Sequence, residues 1–410
     1  MKPNSNKFLS IAFVKRLWAA ALVGILAGAC NNNSTTSISD EKKFQVAMIL
    51  VGPKNDSGWN QAHYEATKYV MEKQSNIQFQ YVDLVNPGDR PNVKASKVAD
   101  DLIAKGAKLV IFNSDDFKEE ALETAKKHPN VSVIHASGDY AWKEGKNFKN
   151  QPNLGNIMPQ VEYGTMIAGC SAALSSETGK IGYVGPLIND ETRRLVSASY
   201  LGAKYCWQTY RKKNPSDLKF KVTWIGFWFN IPGKTLDPSR VTDDFYNNGF
   251  DVVLSGIDTP EVSVQSKKAI EAGKKVKFLH YDIRTGCNLA PDICIGVPYY
   301  NWGPAYLDQI VKAKEGKFTG EFVSAKPDWQ DLNNIDTSSV GFEKGKALTP
   351  ENDKFLTEFI KGLGDRSINL YKGAINYQDG SPFLKAGEIA TPQQIWYFTK
   401  LVQGIESTGK

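Results

Sequence analysis

Residues 46–70 read VAMILVGPKNDSGWNQAHYEATKYV. The apolar run Val46 to Val51, closed by Gly52-Pro53, has the length and punctuation of a buried strand. Behind Trp59, the residues Ala62, Ala66 and Val70 recur every four positions, which gives a helix one inward face. Strand, polar loop, helix is the opening of a parallel βαβ unit, and the same alternation continues along the chain. Strands are expected at Ile77 to Asp83, Leu109 to Phe112 and Val131 to His135. A second series runs Ile181 to Val184, Phe220 to Ile225, Val252 to Ser255, Val276 to His280 and Ile293 to Val297. Between them Ala95, Val98 and Leu102 mark another helix face. Asp237-Pro238 and Thr259-Pro260 each offer an N-cap followed by Pro at the first helical position, and Gly106, Gly249 and Gly273 stand where helices end. The pattern predicts an α/β fold of two doubly wound parallel-sheet lobes. The chain is expected to leave the first lobe near Asn156 and return near Pro298, so residues 44–157 and 298–325 form one lobe and 158–297 the other. Beyond Phe322 the text turns polar. Residues 326–410 are expected to be an extension packed across both lobes, with helices over Glu351 to Leu363 and from Pro392 to Ile405.

Of the 410 residues, 41% are hydrophobic and 23% charged, an ordinary globular balance that argues against disorder, collagen or coiled coil. The formal charge of +6 owes four cations to Lys2, Lys7, Lys15 and Arg16, leaving 46 basic against 44 acidic side chains, which is no footprint for nucleic acid. Those cations precede an apolar run, Leu17 to Ala29, too short to span a bilayer. Residues 1–29 therefore read as a secretory signal. The small residues Ala27-Gly28-Ala29 before Cys30 resemble the lipobox of bacterial lipoproteins, in which that Cys is acylated, although Leu26 stands one place early. An ordinary signal peptide with an incidental Cys is the alternative. Residues 30–43 are polar and without period, as in a flexible tether. Of the remaining cysteines, Cys170 and Cys206 lie in apolar helical patterns and are expected as core thiols, whereas Cys287 and Cys294 either close a short loop or stay reduced.

The sequence contains no GxSxG, Walker motif, HExxH or CxxC, and GxGxxG does not follow a strand, so neither enzyme nor metal chemistry is indicated and no cofactor is expected. His63-Tyr64-Glu65 matches the HxE of zinc deaminases without the PCxxC that must accompany it. What stands out is aromatic and amide chemistry after strands, where open α/β sheets bind ligands. The candidates are Trp59 and Asn60, Asn113 and Asp115, Trp228, Asp258, Tyr281 and Asp282, and Trp302. Flat apolar faces with carboxylates and amides suit a planar, hydroxylated or nitrogenous small molecule.

The stretches Gly52 to Ala66, Lys180 to Gly202, Val222 to Lys234, Asn301 to Leu307 and Leu370 to Glu388 resemble the basic membrane protein family of solute-binding lipoproteins, relatives of purine nucleoside receptors that serve ABC importers. The resemblance implies a two-lobed type I periplasmic binding protein fold that closes on its ligand by a hinge. It implies that Trp59 and Asn60 form the aromatic-plus-amide pair of the first loop, that Trp228 sandwiches a base, and that Asp282 holds ribose hydroxyls. Asn230-Ile231-Pro232 stands where the family has Asp-Pro, and a basic residue that helps bind ribose is replaced around Tyr300-Asn301-Trp302. A free nucleobase or another flat heterocycle such as a flavin therefore stays open as ligand. The expected protein is an exported monomer, lipid-anchored to the bacterial cell membrane, with a small-molecule ligand and an ABC permease as partners. A ligand-sensing or surface-interaction lipoprotein on the same fold, and a nucleoside hydrolase, are the competing classes.

Overall fold

The computed structural model describes residues 43–409, so the expected signal segment, Cys30 and the tether up to residue 42 lie outside the described residues. The first sheet is built from β1 (Phe44–Ile49), β2 (Ile77–Val82), β3 (Leu109–Phe112), β4 (Ser132–Ala136), β5 (Leu154–Pro159) and, far downstream, β11 (Phe322–Ala325). Its order is β2-β1-β3-β4-β5-β11, every pair parallel. The central strands are continuous apolar runs because both faces are covered; all four residues of β3 are buried. Helix α1 (Trp59–Lys73) turns its buried Ala62, Ala66 and Val70 to the sheet and packs against α8 (Gly303–Lys314).

The second sheet contains β6 (Lys180–Gly185), β7 (Lys219–Trp224), β8 (Val252–Ser255), β9 (Lys277–Leu279), β10 (Cys294–Tyr300), β12 (Val340–Lys344) and β15 (Ile405–Gly409). It runs β12-β10-β9-β8-β6-β7-β15, with β12 alone antiparallel. Both sheets thus share the order 2-1-3-4-5 in their core strands, and each has a point where successive crossovers part in opposite directions, between β1 and β3 and between β6 and β8. The chain passes between the sheets after β5, after β10 and after β11. Pro298, expected back in the first lobe, still pairs within the second sheet, opposite Phe342.

Several expectations need correction. LGNIMP at β5, with a Gly, an Asn and a Pro, lacks the β-branched run that marks a strand, yet it is wholly buried between β4 and β11. The final helix covers only Pro392–Trp396, and residues 405–409 pair as β15 along β7. Asp237 caps its helix as expected, its side chain accepting from the Ser239 amide, but Thr259 caps nothing: the next helix begins at Glu261. Cys170 and Cys206 are a disulfide rather than free core thiols, and Cys287 and Cys294 form a second. The first bridge follows from how α4 (Val161–Ser175) and α5 (Asp190–Thr209) cross. A Cβ on Gly169 would lie 1.8 Å from the Ser199 carbonyl oxygen, so the backbones touch there, and Cys170 and Cys206 come within 5.2 Å between Cα atoms.

Candidate functional site

At the carboxyl ends of the strands flanking both crossover points lies a narrow cavity between the two lobes. Trp59, Ser114, Asp115 and Ser137 line it from the first lobe. The second lobe contributes Tyr183, Glu191 and Leu195 from β6 and α5, and Trp228, Asp258 and Tyr281 from the segments after β7, β8 and β9. Of the nine residues expected from sequence, five face this cavity: Trp59, Asp115, Trp228, Asp258 and Tyr281.

The other four stand behind the wall. Asn60 is a fastener: its Oδ1 accepts from the Gly52 amide (3.1 Å) and from Asn113 Nδ2 (2.9 Å), while its Nδ2 donates to Asp56 Oδ2 (2.7 Å). Asn113 Oδ1 in turn accepts from the Val51 amide at 3.0 Å. Together with Asp56, whose carboxylate takes the amides of Gly58, Asn60 and Gln61, these amides fix the loop that carries Trp59. Trp302 props the ring from behind, edge-on to Trp59 at 5.3 Å and stacked on His63 at 4.2 Å. The Trp59 indole Nε1 donates to the Asn113 carbonyl at 2.6 Å, so the side chain is held at both ends. Asp282 is fully buried, has φ +72°, and finds no partner for either carboxylate oxygen.

The lobes meet along one rim of the cavity. His280 Nε2 reaches the Ser57 carbonyl at 2.8 Å across the cleft; since a carbonyl only accepts, that nitrogen donates, and Nδ1 is left to accept from Ser263 Oγ at 3.0 Å. Burial lowers the His280 pKa and keeps the ring neutral. Gly58 lies so close that a Cβ there would sit 2.0 Å from the Asp258 carbonyl oxygen. The Asp258 amide donates to the Trp228 carbonyl (3.0 Å), coupling the two second-lobe ligand loops.

The electrostatics are one-sided. Burial pushes the Asp258 and Asp282 carboxyls well above the usual carboxylate range, each reinforced by the other acids around the cavity. Glu191 is pushed up to about 7, first by burial and then by Asp115 and Glu162, against the pull of Arg194. Glu191 and Tyr183 were not read from the sequence as site residues: an acid in a first helical turn resembles a solvated cap, and a tyrosine inside a strand resembles core. Their signal was position, beside the loop after β6 that completes the second crossover point.

The cavity opens toward residues of the downstream extension. Its rim residues Asp115, Ser137 and Glu191 also border a wider mouth walled by Trp396 and Tyr397. Tyr397 Oη donates to Asp139 Oδ2 (2.8 Å) in the first lobe, while Arg194 on α5 donates to the Trp396 carbonyl (3.0 Å).

Two doubly wound lobes enclosing a cavity at their facing strand ends define a bilobed solute-binding protein of type I periplasmic architecture. The chain belongs to the family of ABC transporter substrate-binding proteins described as PnrA-like, whose model matches residues 43–353. A purine-binding protein of Brucella abortus (strain 2308) is 26% identical over 372 residues, covering 89% of this chain and 94% of that one. Basic membrane protein B of Borreliella burgdorferi is 23% identical over 355 residues, covering 85% and 92%. Among solved structures, an ABC transporter solute-binding protein from Aeropyrum pernix K1 aligns with a TM-score of 0.61 at 14% identity over 82% of this chain and 93% of that one, a likeness of fold. Family membership makes the chain a binder of a small-molecule substrate that works with a transporter. No helix among the described residues is long and apolar enough to cross a membrane.

Proposed function

We propose that this protein captures a flat nitrogen heterocycle, a purine nucleoside or nucleobase, outside the cytoplasm and delivers it to an ABC permease while tethered to the membrane through an acylated Cys30. The observation that carries the ligand reading is the placement of Trp59 and Trp228 on walls from opposite lobes of one cavity, with Asp115 and Asp258 at its edges. Two indoles with a gap between them suit a planar ring, and aromatic stacking adds about 0.5–1.5 kcal/mol beyond area burial. The purine-binding relative supports the same class of ligand. The reading for Asp282 is that it serves the sugar: it is a buried carboxyl with neither oxygen hydrogen-bonded, and Asp258 in the cavity wall is the charged neighbour that raises its pKa most.

Calorimetry with adenosine and adenine tests this. Trp59→Ala and Trp228→Ala should each weaken both ligands, and Asp282→Asn should weaken adenosine by about 1.5–3 kcal/mol while sparing adenine. Unchanged affinity in both Trp variants places the site elsewhere, and equal losses for the two ligands in Asp282→Asn remove the sugar role. For the tether, Cys30→Ala should move the protein from the detergent to the aqueous phase; continued partitioning into detergent refutes the anchor.

A further inference from the structure

The three carboxylates that line the cavity, Asp115, Glu191 and Asp258, have no hydrogen-bond or ion-pair partner among the described residues, and no Lys, Arg or His lines it with them. Asp258 is 4% exposed, so it opens onto little besides the cavity. Cations stand outside, along the mouth: Lys118 pairs with Asp139 at 3.1 Å, Arg193 with Asp190 at 2.6 Å, and Arg194 lies 3.7 Å from Glu162 while also drawing on Glu191. Four rings, Trp59, Tyr183, Trp228 and Tyr281, make up much of the remaining lining, beside the hydroxyls of Ser114, Ser137 and Thr192. Ring faces attract cations through their quadrupole, most strongly when water is excluded, and a buried carboxylate without a partner is costly until a positive charge or a donor reaches it. One occupant satisfies both demands.

We propose that the cavity selects a flat ring bearing a positive charge over its neutral counterpart and rejects phosphorylated forms of the same ligand. The inference rests on the reading of this cavity as the ligand site, and it adds charge to the ring shape already argued. Inside the cavity an anionic phosphate would meet three acids and no cation, whereas a ring cation would lie among the indole and phenol rings with carboxylates beside it. Burial and the neighbouring acids favour the neutral form of the Asp258 carboxyl; a cation seated beside it acts the other way and holds the charged form.

The test uses the full chain, freed of co-purifying ligand, and five probes in calorimetry at neutral pH: adenosine, its cationic derivative 1-methyladenosine, adenosine 5′-monophosphate, nicotinamide and the permanent cation 1-methylnicotinamide. At least one cation should bind about ten-fold or more tighter than its neutral parent, as expected for a desolvated cation on aromatic faces, and the monophosphate should bind far more weakly than adenosine. In Glu191→Gln, with folding checked by thermal melt, the gap between cation and parent should narrow. If adenosine binds while both cations bind no better than their parents, the charge inference falls and the purine reading stands. If 1-methylnicotinamide binds and no purine does, the purine reading falls and the charge inference stands. A monophosphate bound as well as adenosine, or no binding of any probe, overturns the inference.

Discussion

Glu191 couples the cavity to pH in a direction opposite to that of most surface acids. Its ordinary value is 4.5, and in the folded protein it is pushed up to about 7. Between those two values the folded chain holds a proton that the unfolded chain has released, so unfolding loses a bound proton and stability falls as pH rises through this window. The contribution is fully lost only above pH 7 and fully retained below about 4.5. At 1.36 kcal/mol per pKa unit the span corresponds to a ceiling of about 3 kcal/mol, reduced by whatever solvent reaches the carboxyl through the mouth. The perturbation is Glu191→Gln, which keeps shape and removes titration. Urea unfolding of the ligand-free wild type and variant at pH 5, 6, 7 and 8 gives the difference in stability at each pH. Asp258 and Asp282, raised in the same direction, remain in both proteins and cancel to first order. The variant should gain about 1–3 kcal/mol on the wild type between pH 5 and pH 8. A difference that stays flat across that range, or that grows toward low pH, refutes the account of how this carboxyl is buried.

Two further outcomes follow from contacts described above. Gly58→Ala inserts a Cβ where only 2.0 Å separates it from the Asp258 carbonyl oxygen, so it should hold the lobes apart: ligand affinity should drop about ten-fold or more while the melting temperature of the ligand-free protein barely moves, and unchanged affinity shows that the rim can yield. Replacing Cys170 and Cys206 together by Ser removes a bridge spanning 36 residues and should cost about 3–4 kcal/mol by chain entropy; an unfolding midpoint equal to wild type rejects that assignment of its role.

The strands that sequence exposes are those whose own residues say so. Val46 to Val51 and Val252 to Ser255 are apolar runs closed by glycine or a polar loop, and the segments after them carry Trp59 and Asp258 of the cavity. The strands it hides are stabilised by neighbours instead. LGNIMP at β5 becomes a strand because β4 and β11 supply pairing on both sides. IESTG at β15 is exposed in four of its five positions and holds its place by pairing with β7. The site divides in the same way: residues in loops after recognised strands could be nominated, but which of them face the cavity depends on hydrogen bonds such as Asn113 to Asn60, which turn two amides into scaffold. The Cys170–Cys206 bridge was invisible because it depends on the distance between α4 and α5, set by a glycine in one helix and a backbone carbonyl in the other.

The second sheet is bracketed by β12 on one edge and β15 on the other, both drawn from the extension that follows the two lobes. During synthesis and export, strands β6 to β10 therefore emerge as a sheet with two open rims, and neither rim is sealed until residues some way downstream have arrived. An open strand rim is adhesive toward any other chain with free backbone groups. The extension thus covers both edges of the sheet, and a chain cut short before residue 340 would carry an intact set of lobe strands yet present two unpaired edges to its surroundings. The lobe is sealed against edge-to-edge association with other chains only once its distal segments are in place.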